Sequence, residues 1–257
     1  MSSNRTTQRA LQILCLLAKR PDGMTLSEIS LELEMPKTSA FDILQTLRQE
    51  HFLRETHKRF SIGYMAHEVG RSYQPDRDLY GIVRPELPPL GDKFGMTASL
   101  VFHEEEGLVY ALEYRPANSI VSSGASSGYS FIHASASGKA IFAYLSPAKL
   151  KKELKKLSFT ALTENTITDE ESFLKELSKV KSCGYAVDRF EFNALQTCIS
   201  VPIFHSGQVV AAVTLSGLQV HENEINTIAS DIMKTVKNIE GKMLTCLLYT
   251  SDAADDL

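Results

Sequence analysis

The 257-residue sequence is short of several things, and each shortage removes a class of function. It has no basic excess: 27 Lys and Arg stand against 31 Asp and Glu, a formal net charge of −4. Any contact with a polyanion must therefore be local. It has no paired cysteines. Cys15, Cys183, Cys198 and Cys246 lie far apart without a CxxC, which argues against a zinc finger and for a reduced, cytoplasmic setting. It has no apolar leader and no run approaching a bilayer span, so neither export nor membrane insertion is expected. It has no His pair at metal-ligand spacing, and neither a metal nor a cofactor is expected.

What is present is an ordinary globular composition, 43% hydrophobic and 23% charged, long enough for two cores. Leu11, Leu14, Leu17 and Ala18 recur at helical spacing and predict a helix over Thr7–Lys19. After the turn Pro21-Asp22-Gly23, Thr25-Leu26-Ser27-Glu28 is a capping-box pattern opening a second helix. Met35-Pro36 interrupts it, and Pro36 suits the start of a third helix with Ala40, Ile43, Leu44 and Leu47 on its buried face. Phe52–Glu55 and Arg59–Ile62, separated by a polar turn, read as a hairpin. Three helices and a hairpin in so short a span predict a winged helix-turn-helix.

In such a motif the second helix enters the DNA major groove by its N-terminal end. Here that end is Lys37-Thr38-Ser39, a lysine and two hydroxyls beside free backbone amides. Asp42, Gln45 and Thr46 lie off the apolar stripe, and Gln45 suits an adenine edge. Arg54, Lys58 and Arg59 on the wing suit phosphates, and Thr25 completes the set. Residues 1–70 hold nine basic and eight acidic side chains, so charge alone leaves open a winged helix that only contacts protein.

From Thr97 the pattern changes. Ala98–Phe102 and Leu108–Leu112 read as strands, Ser119–Ser130 as a Ser/Gly-rich loop, and Ala134–Leu145 as a helix. Pro147–Leu157 and Asp169–Ser182 are polar-faced helices. Cys198–Phe204 and Gln208–Ser216 form a strand pair, and Glu222–Leu244 a long last helix. Strands and helices without regular βαβ alternation predict an α+β fold with an antiparallel sheet. The amides at Ala136 and Ser137 open a helix and suit a small anion, and Thr214 and Ser216, two apart on a strand, point the same way.

Both halves resemble the IclR family of transcription regulators. The N-terminal resemblance is carried by Leu26-Ser27-Glu28-Ile29, Met35-Pro36-Lys37-Thr38-Ser39, Leu44-Gln45-Thr46-Leu47 and Arg59-Phe60-Ser61-Ile62-Gly63. The C-terminal one is carried by His133-Ala134 with Gly138-Lys139-Ala140, by Gly184-Tyr185 through Asp188 and Glu191 to Cys198-Ile199-Ser200-Val201-Pro202, and by Ala211–Gly217. The resemblance implies a winged helix-turn-helix over residues 1–72, a linker helix over 73–94, and a GAF-like effector-binding domain over 95–245. It implies a homodimer or dimer of dimers on a pseudo-palindromic operator, repressing or activating in response to a small molecule. It places ligand contacts on Ala136, Ser137, Asp188, Cys198, Thr214 and Ser216. Ser122 and Ser130 join them, since with Ser119 they fill loop positions often apolar in relatives, and favour a small polar carboxylate such as a sugar acid or keto acid. Three departures stand out: Asp42 where the family commonly has arginine, Phe190 for a common glutamate, and Leu195 for a common glycine. Residues 246–257 look like a translated sequencing adaptor and are set apart from the fold.

Enzymatic readings are weaker. A phosphate loop fails because His133 stands where its first glycine belongs and Ala140 where its Ser or Thr belongs. A Ser-x-x-Lys hydrolase fails because Ala136 holds the serine position. The alternative from another class is a cysteine hydrolase, with Cys198, His205 and Asp188, carrying an appended winged helix. No catalytic residues are expected.

Overall fold

The computed structural model describes residues 4–71, 77–105, 107–121, 129–218 and 220–252. The chain divides into two compact units, Met1–Pro75 and Asp76–Leu257.

In the first unit, α1 (Arg5–Ala18) begins two residues earlier than its apolar spacing suggests. The reason is Asn4, whose side chain accepts from the amides of Thr6 and Thr7, both at 3.1 Å. Strand β1 (Met24–Thr25) leads into α2 (Leu26–Glu32). The capping box closes in both directions: Glu28 N donates to Thr25 Oγ1 at 3.3 Å, and Thr25 N donates to Glu28 Oε2 at 2.7 Å. Helix α3 (Lys37–Gln49) follows Pro36, which is the N-cap. Strands β2 (Leu53–Thr56) and β3 (Arg59–Ile62) pair antiparallel around His57-Lys58. Both turn residues have positive φ, 52° and 61°, as the tight right-twisted hairpin turn demands. The sheet order is β1-β3-β2, and α4 (Tyr64–Arg71) ends the unit. Ile13, Leu17, Ile29, Ala40, Leu44 and Phe60 form its core.

The second unit is α+β around an antiparallel sheet. Of the linker helix expected over 73–94, the described residues 77–94 form instead two short helices, α5 (Arg77–Val83) and α6 (Leu87–Phe94), parted at Pro85. Their Leu79, Val83, Leu87 and Leu90 belong to this unit's core. Then come β4 (Thr97–Glu104), β5 (Gly107–Tyr114), a 3-10 turn (Tyr129–Ala134), α7 (Ala136–Phe142), α8 (Pro147–Leu154) and α9 (Glu170–Cys183). Strands β6 (Ala186–Arg189), β7 (Gln196–His205) and β8 (Gln208–Leu218) precede α10, expected to end at Leu244 and found over Glu222–Asp252. The sheet order is β5-β4-β8-β7-β6, with every neighbouring pair antiparallel.

The two-residue period of the strands sorts this sheet into two unlike faces. Ile199, Val201 and Ile203 of β7 and Ala211, Val213 and Leu215 of β8 pack with Ile225, Ile228 and Ile232 of α10. The alternate positions face α7 and α9. On that side Val101 and Ala212 meet Ile141, Phe142 and Phe173. Toward the N-terminal ends of β4 and β7 and the C-terminal end of β8, the same face turns to hydroxyls. Ser99 pairs with Thr214, Thr97 with Ser216, and Ser200 with Thr214. Polar side chains buried together in this way need partners or a ligand.

Candidate functional site

That hydroxyl-bearing face forms one wall of a cavity of about 150 Å³, and the start of α7 forms another. Ala136 and Ser137 reach it from α7, Asp188 from β6, Cys198 from β7, and Thr214 and Ser216 from β8. These are six of the eight expected ligand positions, brought together from separate parts of the sequence. Of the other two, Ser122 and the side chain of Ser130 lie outside the described residues.

The α7 start is positioned by its own sequence. Ser135 caps the helix by accepting from Gly138 N at 3.0 Å. Gly138 sits where a Cβ would stand 2.3 Å from the Ile132 carbonyl oxygen, so only glycine lets the 3-10 turn close on the helix. The amides at Ala136 and Ser137 have no acceptor within the helix. Lys139 is fully buried and points away from any phosphate-like role. Its Nζ donates to the Val187 carbonyl and to Glu191 Oε1 at 2.6 Å, with Glu176 Oε1 at 3.7 Å. It thereby ties α7 to β6 and to the turn after it.

Asp188 is the ionisable centre of the cavity and is 1% exposed. Its Oδ1 accepts from the amides of Glu191 at 2.7 Å and Phe192 at 3.3 Å. Burial nonetheless outweighs these bonds and the nearby Lys139, and pushes its carboxyl up to about 7. Burial also raises the Tyr110 phenol to about 12, and its hydroxyl lies 3.2 Å from that of Ser137. Ser200 and Thr214 share a hydrogen bond of 2.8 Å. Burial, then Asp188, pushes the Cys198 thiol far up, so it stays protonated. Its sulfur accepts from Gln196 Nε2 at 3.3 Å. A protonated thiol is a poor nucleophile, and His205 does not line the cavity. Both points weigh against the cysteine-hydrolase alternative.

Sequence reasoning missed Tyr110, Phe131, Asn193 and Gln196, which also line the cavity. Tyr110 had a signal: with Leu108 it occupies alternate positions of β5 and so shares a face. Asn193 lies in the irregular connection before β7, where no period applies. No Lys, Arg or His is among the described residues lining the cavity.

In the first unit, Lys37, Thr38, Asp42 and Thr46 are exposed on α3, and Ser39 and Gln45 are half-buried. Thr46 Oγ1 is turned back onto the Asp42 carbonyl at 3.0 Å. The Thr25 hydroxyl accepts the capping bond of α2. Arg54 Nε donates to Ser61 Oγ at 3.0 Å, and Lys58 stands at the wing turn. Arg59 is engaged at home. Its Nη2 donates to the Gly23 carbonyl at 2.8 Å and its Nε to the Asp22 carbonyl at 3.2 Å, with Glu28 at 3.4 Å. Arg48, also overlooked, pairs with Glu55 at 2.7 Å.

No described helix is long and apolar enough to cross a membrane. Among the described residues there is no group of three His, Cys, Asp or Glu arranged to hold a metal ion.

Comparison with known proteins agrees with this architecture. The family model for the IclR C-terminal region of bacterial transcriptional regulators matches residues 72–240, and the IclR helix-turn-helix model matches 6–57. The HTH-type transcriptional repressor AllR of Escherichia coli is 29% identical over 82% of this chain and 79% of its own length. The HTH-type transcriptional regulator BhcR of Paracoccus denitrificans is 26% identical over 91% and 86%. The crystal structure of Thermotoga maritima IclR superposes with a TM-score of 0.72 at 29% identity, covering 92% of this chain and 98% of that one.

Proposed function

The chain belongs to the IclR family of bacterial transcriptional regulators, and from that premise we propose that a small hydroxylated or keto carboxylate in the second unit sets its affinity for operator DNA. The carrying observation is the convergence of Ala136, Ser137, Asp188, Cys198, Thr214 and Ser216 on one cavity. Its volume, about 150 Å³, falls below the roughly 300–1,000 Å³ of sites for drug-sized molecules. The ligand is therefore small. A carboxylate finds amide donors at Ala136 and Ser137. Its hydroxyl or keto oxygens find the Tyr110, Thr214 and Ser216 hydroxyls and the Gln196 amide.

Asp188 is compatible with an anionic ligand in its protonated form, in which it donates a hydrogen bond rather than repelling the ligand. In the first unit the α3 start with Lys37, Thr38 and Ser39 enters the major groove, Asp42, Gln45 and Thr46 face bases, and Arg54 and Lys58 face phosphates. Arg59 and Thr25 support this surface by fixing the wing and the α2 start. The protein acts in the cytoplasm as a homodimer or dimer of dimers, the symmetry a pseudo-palindromic operator requires.

The test is a thermal-shift panel of small hydroxy acids, keto acids, sugar acids and apolar aromatics, followed by operator binding at fixed salt with each stabilising compound. Hydroxy or keto acids should raise Tm and change operator affinity. A panel in which only apolar aromatics stabilise, or in which a stabilising acid leaves operator affinity unchanged, overturns the reading.

A further inference from the structure

A second opening, of about 590 Å³, lies outside the effector cavity at the β6 edge of the sheet. It is walled by α9, by the turn after β6 and by the start of α10. Two residues lining it carry buried polar atoms without a partner: Glu191 Oε2 and Thr197 Oγ1. Glu191 is 7% exposed and Thr197 1%. Unpartnered buried polar atoms are rare and costly, and a carboxylate oxygen is the costlier of the two. The other Glu191 oxygen is already taken, by Lys139 at 2.6 Å and the Arg189 amide at 3.3 Å. What the floor of the cleft lacks is therefore a donor-rich group, one that suits both a carboxylate and a hydroxyl.

The rim has the opposite character. Lys175, Lys179 and Arg189 line it, interleaved with the carboxylates of Glu176 and Glu222. Each rests on a carboxylate that also faces solvent or the cleft: Lys175 on Glu171 at 2.7 Å, Lys179 on Glu176 at 3.3 Å, and Arg189 on Glu222 at 2.8 Å. The two lysine pairs are single contacts on exposed lysines and exchange partners readily, whereas Arg189 is forked onto Glu222 through both Nε and Nη2. An anionic group entering the cleft is received first by Lys175 and Lys179, whose present partners are easily replaced, with the Arg189 charge beside them.

We propose that this cleft is a second ligand site, which takes a small zwitterion such as a free amino acid. The ammonium group meets Glu191 Oε2 and Thr197 Oγ1 at the floor, and the carboxylate lies among Lys175, Lys179 and Arg189 at the rim. The site shares a wall with the effector cavity. The Glu191 amide donates to Asp188 Oδ1 at 2.7 Å, and Gln196 and Cys198, on either side of Thr197, line the cavity. A ligand on Glu191 therefore acts on the Asp188 wall, a coupling that rests on the effector reading above, whereas the binding itself does not.

The experiment is calorimetric titration of the full chain with glycine, L-alanine, L-serine and L-glutamine, with acetate and methylamine as half-ligands. At least one amino acid should bind saturably and neither half-ligand should. Thr197→Val should weaken that binding about tenfold, the loss expected for one hydrogen bond to a charged group. Lys179→Ala, an exposed position that does not endanger folding, should weaken it several-fold. The proposal is overturned if no amino acid binds, Glu191 and Thr197 then meeting a resident water only. It is overturned equally if binding ignores both variants, or is lost in Thr214→Val and kept in Thr197→Val, which would place the ligand in the effector cavity. Operator affinity enters none of these readouts, so a failed effector reading cannot be mistaken for a failed second site.

Discussion

Lys139 and Glu191 form a buried ion pair at 2.6 Å behind the Asp188 wall of the effector cavity, joining α7 to the turn after β6. The same lysine also holds the Val187 carbonyl. The Gly138-Lys139 pair, which in isolation suggests phosphate binding, is thus a packing device: the glycine permits close approach and the lysine fastens the helix.

Breaking that device should unfold the second unit before it affects DNA contacts. Lys139→Ala leaves Glu191 buried without its cation and should cost about 3–5 kcal/mol. Gly138→Ala drives a Cβ to 2.3 Å from the Ile132 carbonyl oxygen and should cost about 1–3 kcal/mol by overpacking. Urea melts of both variants check this, and wild-type stability in either would refute it.

Effector affinity should depend on pH with a definite sign. The Asp188 carboxyl is pushed up to about 7 by burial. A carboxylate ligand prefers the protonated form, so Kd should be flat below pH 7 and rise about tenfold per unit above it. The folded state likewise holds this proton where the unfolded chain has released it. The Asp188 contribution to stability is therefore full below the ordinary aspartate range and lost as pH rises through 7. Asp188→Asn should flatten the affinity profile, and isothermal titration across pH 5.5–8.5, about 1.5 units either side, decides the point.

The two neighbouring wing residues should behave differently. Arg59 donates to the Asp22 and Gly23 carbonyls, so Arg59→Ala should lower the stability of the first unit by about 1 kcal/mol, its partial exposure discounted. Lys58→Ala should leave stability unchanged but reduce the slope of log affinity against log salt by about 1. Operator titrations at several salt concentrations, paired with thermal melts, separate the two.

Asp42 should shape base preference rather than overall affinity. It is exposed on the first half of α3, and a carboxylate there repels phosphate but accepts from a cytosine amino group. Asp42→Ala should change the sequences recovered in a binding-site selection, and an unchanged set would remove Asp42 from the reading surface.

Local rules carried the sequence a long way. The Thr25/Glu28 capping box, Pro36 at the α3 start and the alternation Ala211–Ser216 each depend on residues within a turn or a strand of one another, and each appears in the structure as expected. The same alternation put Thr214 and Ser216 on one side of β8, and the family resemblance supplied Asp188 and Cys198. What the chain settled by itself is therefore where most of its helices and strands lie and which face of each is apolar; β1, α4 and β6, short or without a clear period, were not legible in it. Tertiary structure decided the rest. Only the register of β7 on β8 and β4 on β8 gathers Ser99, Ser200, Thr214 and Ser216 into one polar patch. Only the return of the wing sets Arg59 against carbonyls 36 and 37 residues away, and burial, with the Glu191 charge nearby, raises the Asp188 proton affinity. Hydrogen bonds and desolvation act through space, and neither distance nor dielectric is written in the spacing of residues along the chain.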